Sequence, residues 1–355
     1  MIGFVRNAWY MVGWAKDLPA TPTAHMLIGE PIVTWRGADG TLVTLEDRCP
    51  HKLAPLSLGQ VEGAELRCMY HGLRFAADGR CTEIPGQAVI PPSLCTRSFP
   101  TVERHSAAWV WMGDPAKADP ATIPDFVGID DPTWAMQESH LDYDAHYGLI
   151  VDNLLDLSHV SFLHRASFGQ GLVRKQSEDT ALKAPEIERI DRGLRLVRKS
   201  ASGRAPAYLT HLRGQAVDSV VAYDFLVPGI FLLGTSVYAE GAIARGGGMP
   251  AEEPIHAHFT CQAIAPMTER KTRYFFATGP LARSAALTEL IFGVARQAFL
   301  EDQLMIEAQQ RVIDRSPDAR MRPLSMDKAP NLYNALVTRL IAEENSPDPR
   351  PAAVA

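Results

Sequence analysis

The sequence predicts an α+β fold in two domains, on the basis of three observations. Its 355 residues are more than one hydrophobic core usually organises. Short β-branched runs with turn signals between them fill the first third of the chain. The remainder mixes β-type runs with helical segments, and the longest, Ala285–Arg315, contains no Pro and one Gly. We therefore expect an all-β domain over residues 1–115, an α+β domain over residues 116–345 and a flexible tail over residues 346–355.

Local patterns place the elements of the N-terminal domain. Ile32–Trp35 and Leu42–Leu45 are β-branched runs joined by a loop with Gly and Asp, which predicts a hairpin. Leu73–Phe75 and Ala108–Trp111 predict two further strands. Residues 114–132 are rich in Pro, Ala and Asp, so we expect an irregular connection between the domains there.

The second domain is predicted to mix both element types. Leu149–His164 has few helix breakers and predicts a helix, as does Ala285–Arg315. Runs such as Gly193–Val197 and Arg273–Phe276 predict strands. The C-terminal tail from Ser346 is rich in Pro and Ala, and we expect it to fray.

Composition and charge exclude several classes of protein. The formal net charge is -6, and nothing indicates the basic patch of a nucleic-acid-binding protein. The most apolar stretch, Ser219–Ala242, is interrupted by Asp224 and Pro228, so we expect no membrane span. The N-terminus lacks the apolar core of a signal peptide, which predicts a cytoplasmic protein. Five cysteines, an odd number, argue against a disulfide framework and favour metal binding or burial.

Two short motifs each combine one thiol with one imidazole. Cys49-Pro-His51 and Cys68-Met-Tyr-His71 are separated by residues 52–67, and each motif follows a predicted strand. This ligand set suits a Rieske [2Fe–2S] centre, in which two Cys hold one iron and two His hold the other. The alternative is a zinc site, but zinc fingers usually pair Cys with Cys and His with His. The remaining cysteines are expected to be core residues.

A second group of polar residues lies in the predicted helix Leu149–His164. On an ideal helix His159 and His164 would be about 140° apart, so they could face one ion only if the helix ended or bulged between them. Two buried core histidines are the alternative interpretation. Asp156, three residues before His159, favours a metal site because its carboxylate can orient an imidazole or lie between two sites.

A triad of two histidines and one carboxylate, typical of non-haem iron, needs a third ligand. The predicted C-terminal helix offers Glu301 and Asp302. Asp302 shares a helical stripe with apolar residues such as Ile291 and Ile306, and a carboxylate there must be paired or bound to metal. Glu301 also aligns with apolar residues, so spacing alone leaves both open.

The sequence resembles the Rieske non-haem iron aromatic-ring oxygenases. Within them it is most similar to the branch of vanillate and dicamba O-demethylases and toluenesulfonate methyl-monooxygenase. The likeness covers nearly the whole chain and includes the N-terminal block Phe4–Tyr10, both Cys–His motifs, Asp152–His159 with His164, and Glu301–Asp302. It implies an N-terminal Rieske domain followed by a catalytic domain with an antiparallel sheet flanked by helices.

The resemblance also implies a role for each motif. Cys49 and Cys68 would bind one cluster iron, and His51 and His71 would bind the other. The catalytic Fe(II) would be held by a second set of side chains, namely His159, His164 and Asp302.

Two further residues have implied roles near the iron. Asn153 would lie beside it, and Asp156 would bridge by hydrogen bonds from His71 of one subunit to His159 of the next. This bridge implies a head-to-tail homotrimer, because the two metal centres of one chain would be too far apart for fast electron transfer.

The implied activity is that of the oxygenase component of a monooxygenase. It would use O2 and electrons from a ferredoxin or a flavin reductase that oxidises NAD(P)H, since the chain has no dinucleotide-binding motif of its own. The reaction would be O- or N-dealkylation, or methyl or ring hydroxylation, of a small aromatic substrate. The alternatives are an arene cis-dihydroxylating dioxygenase and a Rieske electron-transfer protein.

The region expected to form the substrate pocket differs from that of the dicamba enzyme. Around Phe231–Leu233 and Thr260–Gln262 this sequence has apolar or neutral residues where that enzyme has polar groups for a carboxylate. Dicamba is therefore not expected as the substrate.

Overall fold

The computed structural model describes residues 2–164, 167, 184–206 and 209–346. Residues 2–115 contain strands and short 3-10 turns, as the sequence predicts for an all-β region. Its strands are β1 Trp9–Trp14, β2 Thr23–Leu27, β3 Glu30–Arg36, β4 Leu42–Glu46, β5 Gln60–Glu62, β6 Glu65–Arg67, β7 Arg74–Phe75, β8 Cys81–Glu83, β9 Thr101–Arg104 and β10 Ala107–Trp111. They form three small antiparallel sheets, ordered β1-β10-β9, β2-β3-β4 and β5-β6-β7-β8.

The predicted hairpin is confirmed as β3 and β4, with Trp35 opposite Val43. Its turn contains Gly40 at a φ of 83°, a conformation that glycine adopts at little cost. The predicted connection contains two 3-10 turns, Pro115–Lys117 and Pro120–Thr122. Each begins with Pro and is preceded by an Asp whose carboxylate accepts a backbone hydrogen bond, which fixes where each turn starts.

An antiparallel sheet dominates the described residues after 136. Its strands are β11 Gln137–Tyr143, β12 Glu186–Ile190, β13 Gly193–Arg204, β14 Ala216–Leu226, β15 Ile230–Ala239, β16 His256–Thr268 and β17 Lys271–Pro280. Their order is β11-β17-β16-β15-β14-β13-β12. The two predicted runs are confirmed within β13 and β17, and most of the strands follow one another as hairpins in the sheet.

The prediction of one helix over Leu149–His164 is wrong. Helix α1 spans Tyr147–Leu155, and Asp156 then leaves helical geometry with φ -114° and ψ 92°. A 3-10 turn, Leu157–His159, and a single helical turn, α2 (Val160–Leu163), complete the segment. The break lies at Asp156 because its carboxylate accepts a hydrogen bond from the N–H of Ser158, which starts a new turn.

The other helices lie further along the chain. The described part of the chain also contains α3 (Ala242–Arg245), α4 (Thr288–Arg315) and α5 (Lys328–Asn345). The predicted C-terminal helix is confirmed as α4, although Ala282–Leu287 before it is a 3-10 segment. Helix α5 was not predicted. The tail beyond residue 346 lies outside the described residues.

Two large apolar cores and a small cluster around Leu212 and Val237 hold these elements together. Residues 30–99, here called the cluster lobe, contain a separate core around Trp35, Leu66 and Phe75. Ile32, Leu42 and Phe99 of this range belong to the core of the large sheet. Strands β1 and β10 instead join the core of the large sheet, where Trp14 meets Phe275 at 6.5 Å between ring centroids. The predicted division at residues 115 and 116 stays a prediction. Cys95 is exposed, so its predicted place in the core is wrong; it lies in an edge bridge next to a turn.

The large sheet separates the N-terminal strands from the helices. One face contacts the N-terminal part, where the N–H of Val127 lies 3.1 Å from Sγ of Cys261. The other face receives α4, whose Phe299 ring lies 4.8 Å from that of Phe276 and 5.4 Å from that of Tyr274. Side chains on α1 and α4 therefore meet on the helix-covered face.

Candidate metal centres

The two Cys–His motifs form loops with the same internal hydrogen bonding. The N–H of Cys49 donates to the carbonyl of Ala54 at 2.8 Å, and the N–H of Cys68 donates to the carbonyl of Leu73 at 2.8 Å. In each loop this hydrogen bond joins the cysteine at the start to a residue five positions further along the chain. The second loop follows β6, whereas the first follows β4 after a short irregular segment.

The cysteines of the two loops are buried, whereas the histidines are exposed. Cys49 and Cys68 are 2% and 1% exposed, whereas His51 and His71 are exposed, with ring centroids 4.6 Å apart. Burial raises the pKa of Cys49 to about 11, and the Cys68 thiol beside it adds to this. Such thiols become thiolates when a metal replaces the proton. Two inner sulfurs and two outer imidazoles fit a Rieske [2Fe–2S] cluster.

The break in the second motif brings its histidines together. His159 ends the 3-10 turn and His164 follows α2, so their rings reach 5.2 Å between centroids. Nε2 of His159 lies 3.4 Å and Nε2 of His164 lies 3.3 Å from Oδ1 of Asp302. The three ligand atoms lie within 4.8 Å of one another. This set fits the 2-His-1-carboxylate arrangement of non-haem Fe(II).

The structure separates the roles of Asp302 and Glu301. Asp302 is 5% exposed and faces both histidines. Glu301 lies behind His164, with Oε2 2.9 Å from Nδ1 of His164 and 2.9 Å from Oγ of Ser167. A carboxylate in this position orients a ligand imidazole and increases its basicity.

Charge at the site favours a cation. Burial lowers the pKa of His164, but hydrogen bonds and charges from Asp302 and Glu301 outweigh burial and raise it. For His159 burial dominates, and its pKa is lowered despite the charge of Asp302. The carboxylates that raise the pKa of His164 would also stabilise a divalent metal ion bound to its imidazole.

Asn153 and the backbone of Asp156 complete the surroundings of His159. Nδ2 of Asn153 donates to Oδ1 of Asp302 at 2.9 Å and lies 3.4 Å from Nε2 of His159. Nδ1 of His159 lies 2.6 Å from the backbone carbonyl of Asp156. The Asp156 carboxylate itself caps the N–H of Ser158 at 2.9 Å. Within one chain, then, the carbonyl rather than the carboxylate orients the imidazole.

Sequence reasoning missed the contacts of Glu301 and Ser167 with His164. The adjacent carboxylates of Glu301 and Asp302 were a partial signal, because one of them can bind the metal while the other orients a ligand imidazole. Ser167 and the Asp156 carbonyl gave no signal, since any residue offers a carbonyl and serine is common on surfaces.

Comparisons with known proteins agree with this geometry. Residues 8–100 match the Rieske [2Fe-2S] domain, and residues 143–343 match the vanillate O-demethylase oxygenase C-terminal domain. A putative toluene-4-sulfonate monooxygenase system iron-sulfur subunit from Comamonas testosteroni is 39% identical over 352 residues, which cover 96% of this chain and 98% of that protein. The dicamba O-demethylase oxygenase component from Stenotrophomonas maltophilia is 34% identical over 317 residues, which cover 87% and 88%.

A solved structure shows the same architecture. The crystal structure of dicamba monooxygenase with non-heme iron and dicamba has a TM-score of 0.79 at 30% identity, with 96% of this chain and 98% of that chain covered. Fold and site together define a Rieske-type oxygenase with a [2Fe–2S] cluster and a mononuclear iron. The chain belongs to the vanillate O-demethylase family of these enzymes, as the oxygenase component of a monooxygenase system.

The family decides between the alternatives left open by the sequence. The match over residues 143–343 excludes a simple electron-transfer protein, and the relatives are monooxygenase components rather than dioxygenases. Among the described helices, none is long and apolar enough to cross a membrane.

Proposed function

We propose that this oxygenase inserts one atom of O2 into a C–H bond of an alkyl group on a small aromatic compound. The observation that carries this proposal is the convergence of His159, His164 and Asp302 beside a helix-covered sheet. When bound, the iron offers open coordination positions for O2, and the cluster supplies electrons. The other oxygen atom leaves as water, which consumes two electrons and two protons.

The products follow from the carbon that is hydroxylated. On a methyl group attached through O or N, hydroxylation gives a hemiacetal or hemiaminal that breaks down to formaldehyde and a phenol or an amine. On a methyl group attached directly to the ring, it gives a benzylic alcohol. Both are reactions of the class implied by the names of relatives, which include a demethylase and a toluenesulfonate monooxygenase.

Separate sets of residues are proposed to hold the cluster and the mononuclear iron. Cys49, His51, Cys68 and His71 hold the cluster, and their loops keep the imidazoles at the surface where a partner can reach them. The second centre is held by three side chains and flanked by an amide, namely His159, His164, Asp302 and Asn153.

The position of Asp156 supports a bridge between subunits of a head-to-tail homotrimer. Asp156 is half-buried and lies at the break before His159. Apolar side chains are exposed beside it, including Phe162, and Met326, whose Sδ contacts Ser158 at 3.5 Å. Leu53, Met69 and Tyr70 are likewise exposed around the cluster loops. Two such apolar areas on one chain suit a contact between copies that brings His71 of one subunit to Asp156 of the next.

Electrons are proposed to come from a separate ferredoxin or flavin reductase that uses NAD(P)H. The designation of the relatives as components of monooxygenase systems supports this. The cytoplasmic location stays a prediction.

The test is substrate-dependent O2 uptake by the purified protein with a reductase and ferredoxin pair. Methoxy-, methyl- and N-alkyl-aromatic compounds would be screened, with formaldehyde and products quantified. We expect O2 uptake coupled to product for at least one compound. Iron analysis at about three Fe per chain would agree, because the cluster holds two and the second centre one. A cis-dihydrodiol product would contradict the proposal. O2 uptake without oxidation of any of the aromatic compounds would contradict it as well.

A further inference from the structure

The side chain of Arg67, the last residue of β6, holds the far end of the second cluster loop. Its Nη1 donates a hydrogen bond of 2.6 Å to the backbone carbonyl of Gly72. Gly72 directly follows His71, so the guanidinium spans the loop and holds the peptide next to this histidine. The backbone hydrogen bonds of the loop join Cys68 to Leu73 and Gly72 to Cys68, and Arg67 adds a side-chain hydrogen bond at the His71 end.

Strand alternation separates Arg67 from the cysteine of the same loop. Leu66 and Cys68 belong to the core of the cluster lobe. Arg67 lies between them in sequence and therefore points to the other face of the small sheet. The Arg67 side chain is 19% exposed there. The guanidinium thus contacts the loop from the outer face of the sheet, while the thiol lies inside.

Two carboxylates hold this guanidinium in place. Nε and Nη2 of Arg67 donate to the carboxylate of Glu62 on β5 at 2.6 and 2.7 Å, and Nη2 also donates to Glu83 on β8 at 3.0 Å. The contact with Glu62 is bidentate, which fixes the plane of the guanidinium. These hydrogen bonds raise the pKa of Arg67 and lower the pKa of Glu62 and of Glu83, so all three side chains are charged near pH 7. Arg67 therefore connects the His71 end of the loop with two other strands of the sheet.

Arg74 is a matched arginine in the same sheet. It pairs directly with Arg67 across β6 and β7. Its guanidinium lies 2.8 Å from Glu65, 3.3 Å from Glu83 and 3.8 Å from Glu62. Arg74 thus shares two carboxylates with Arg67, but the ion pairs described for it lie within the sheet and not at the loop.

The first cluster loop is held in a different way. Asp47 precedes Cys49 by two residues, and its carboxylate accepts hydrogen bonds of 2.6 Å from the N–H and from Oγ of Ser57. Ser57 lies six residues beyond His51, whereas Gly72 is next to His71. The second loop therefore has a side-chain hydrogen bond much nearer to its histidine than this contact is to His51.

We propose that Arg67 is a positioning residue for His71, and that Glu62 and Glu83 keep its guanidinium in place for this role. The hydrogen bond to Gly72 limits the motion of the peptide that follows His71 and thereby fixes the direction of the imidazole. Hydrogen-bonding groups outside the ligand set orient ligands in the same way at other metal sites. This inference rests on the proposed role of His71 as a cluster ligand.

The test compares Arg67→Met with Arg74→Met in the enzyme carrying cluster and iron. Both variants remove one positive charge from the same group of carboxylates, and both remove an arginine from the same pair of strands. Arg67→Met also removes the hydrogen bond to Gly72. Electron paramagnetic resonance of the reduced cluster reports the geometry of its histidine-bound iron. The rate at which a chelator takes up the cluster iron reports how firmly the cluster is held.

We expect Arg67→Met to broaden the resonance of the reduced cluster, because the imidazole of His71 then takes up several orientations. The rate of cluster loss should rise by about 10-fold, the lower end of the usual effect of removing such a hydrogen-bonding group. Arg74→Met should retain the original line shape and nearly the original rate.

Arg67→Lys completes the series and replaces Arg67→Met if that variant assembles no cluster. It keeps the charge and a donor but not the fork, so its line width and rate of cluster loss should fall between those of the original protein and Arg67→Met, and above those of Arg74→Met. Thermal unfolding would verify that each variant is folded.

Two outcomes would overturn the inference. One is an original line shape and an original rate of cluster loss in Arg67→Met, or in Arg67→Lys where it takes that place. The other is an equal change in the Arg67 and Arg74 variants, which would assign the effect to charge or to the stability of the sheet.

Failure of the proposed function gives different results. If His71 does not bind the cluster, His71→Ala retains the original resonance. If the enzyme oxidises no aromatic compound, the O2-uptake screen fails while the resonance and chelator measurements still rank the Arg67 and Arg74 variants.

Discussion

The cluster loops and the mononuclear centre solve the same problem, holding iron, in opposite ways. In the cluster lobe each loop places a cysteine and a histidine within four residues, and a backbone hydrogen bond closes the loop behind the cysteine. At the mononuclear centre, His164 and Asp302 are 138 positions apart in sequence, and α4 must pack against the large sheet before they meet. We infer that the first centre tolerates changes elsewhere in the fold better than the second does.

The sharpest test of this difference is Asp302→Ala. Removal of one of three ligands should abolish retention of the mononuclear iron and all turnover, while the cluster spectrum persists because its loops lie in a separate core. Metal analysis and visible absorption would measure both on one sample. The matched variant is Glu301→Ala, which should weaken rather than abolish iron binding; the reverse ranking would contradict the assignment of Asp302.

The next largest effect is expected from Asp156→Asn, which tests communication between the two centres. Asn also caps a turn through its side-chain oxygen, so the hydrogen bond to Ser158 and the fold should be retained. An amide cannot accept a hydrogen bond from an imidazole on each side as a carboxylate can. Turnover should therefore fall by about 100-fold with both metals present.

Rapid mixing separates this bridge from a purely capping role. With the cluster reduced beforehand, substrate and O2 should reoxidise it slowly in Asp156→Asn. Reoxidation at the original rate in a trimer with full iron content would exclude the bridge. Sedimentation velocity would establish the trimer itself.

A smaller change is expected from Glu301→Gln. Gln preserves the size of the side chain that contacts Nδ1 of His164 but removes its charge, so the imidazole becomes a weaker ligand. The affinity for Fe(II), measured by competition with a chelator, should fall by about 10-fold. Gln297→Ala serves as a control, because Gln297 contacts only the other oxygen of Glu301, at 3.4 Å. An equal loss of Fe(II) affinity in Glu301→Gln and Gln297→Ala would contradict a specific role of the Glu301 contact with His164.

The smallest effect on chemistry is expected in the cluster lobe. Gly72 has a φ of 77°, and a Cβ there would lie 2.8 Å from Cγ of Pro85. Gly72→Ala should lower the free energy of unfolding by about 1–3 kcal/mol through strain and contact, and it should change turnover less than the metal-site variants do. Gly63 has a φ of 67° and open space around it, so Gly63→Ala should cost less. Thermal unfolding of both variants measures the difference.

These centres also differ in how far the sequence predicted them. The Cys–His motifs could be interpreted without tertiary information, because the four proposed ligands lie in two short loops and their spacing favours a Rieske cluster over a zinc site. At the second centre the spacing of His159 and His164 contradicted a continuous helix, and the structure resolved this by breaking the helix at Asp156. The sequence indicated that a helix break was needed if His159 and His164 bind one ion. It did not indicate which residue breaks the helix.

Local patterns in the sequence determined the hairpin of β3 and β4, most of α4 and the chemical identity of the cluster, because each depends on residues close together in the chain. Tertiary packing decided the rest. It directed Asp302 to both histidines and Glu301 to His164 alone, since the side of α4 that faces the sheet is fixed by Phe299 and its contacts. It also buried Arg198 on the helix-covered face of the large sheet while Arg195, three residues away, stayed at the surface. Strand alternation allowed either arginine to point inward, and only the register and the covering helices selected one.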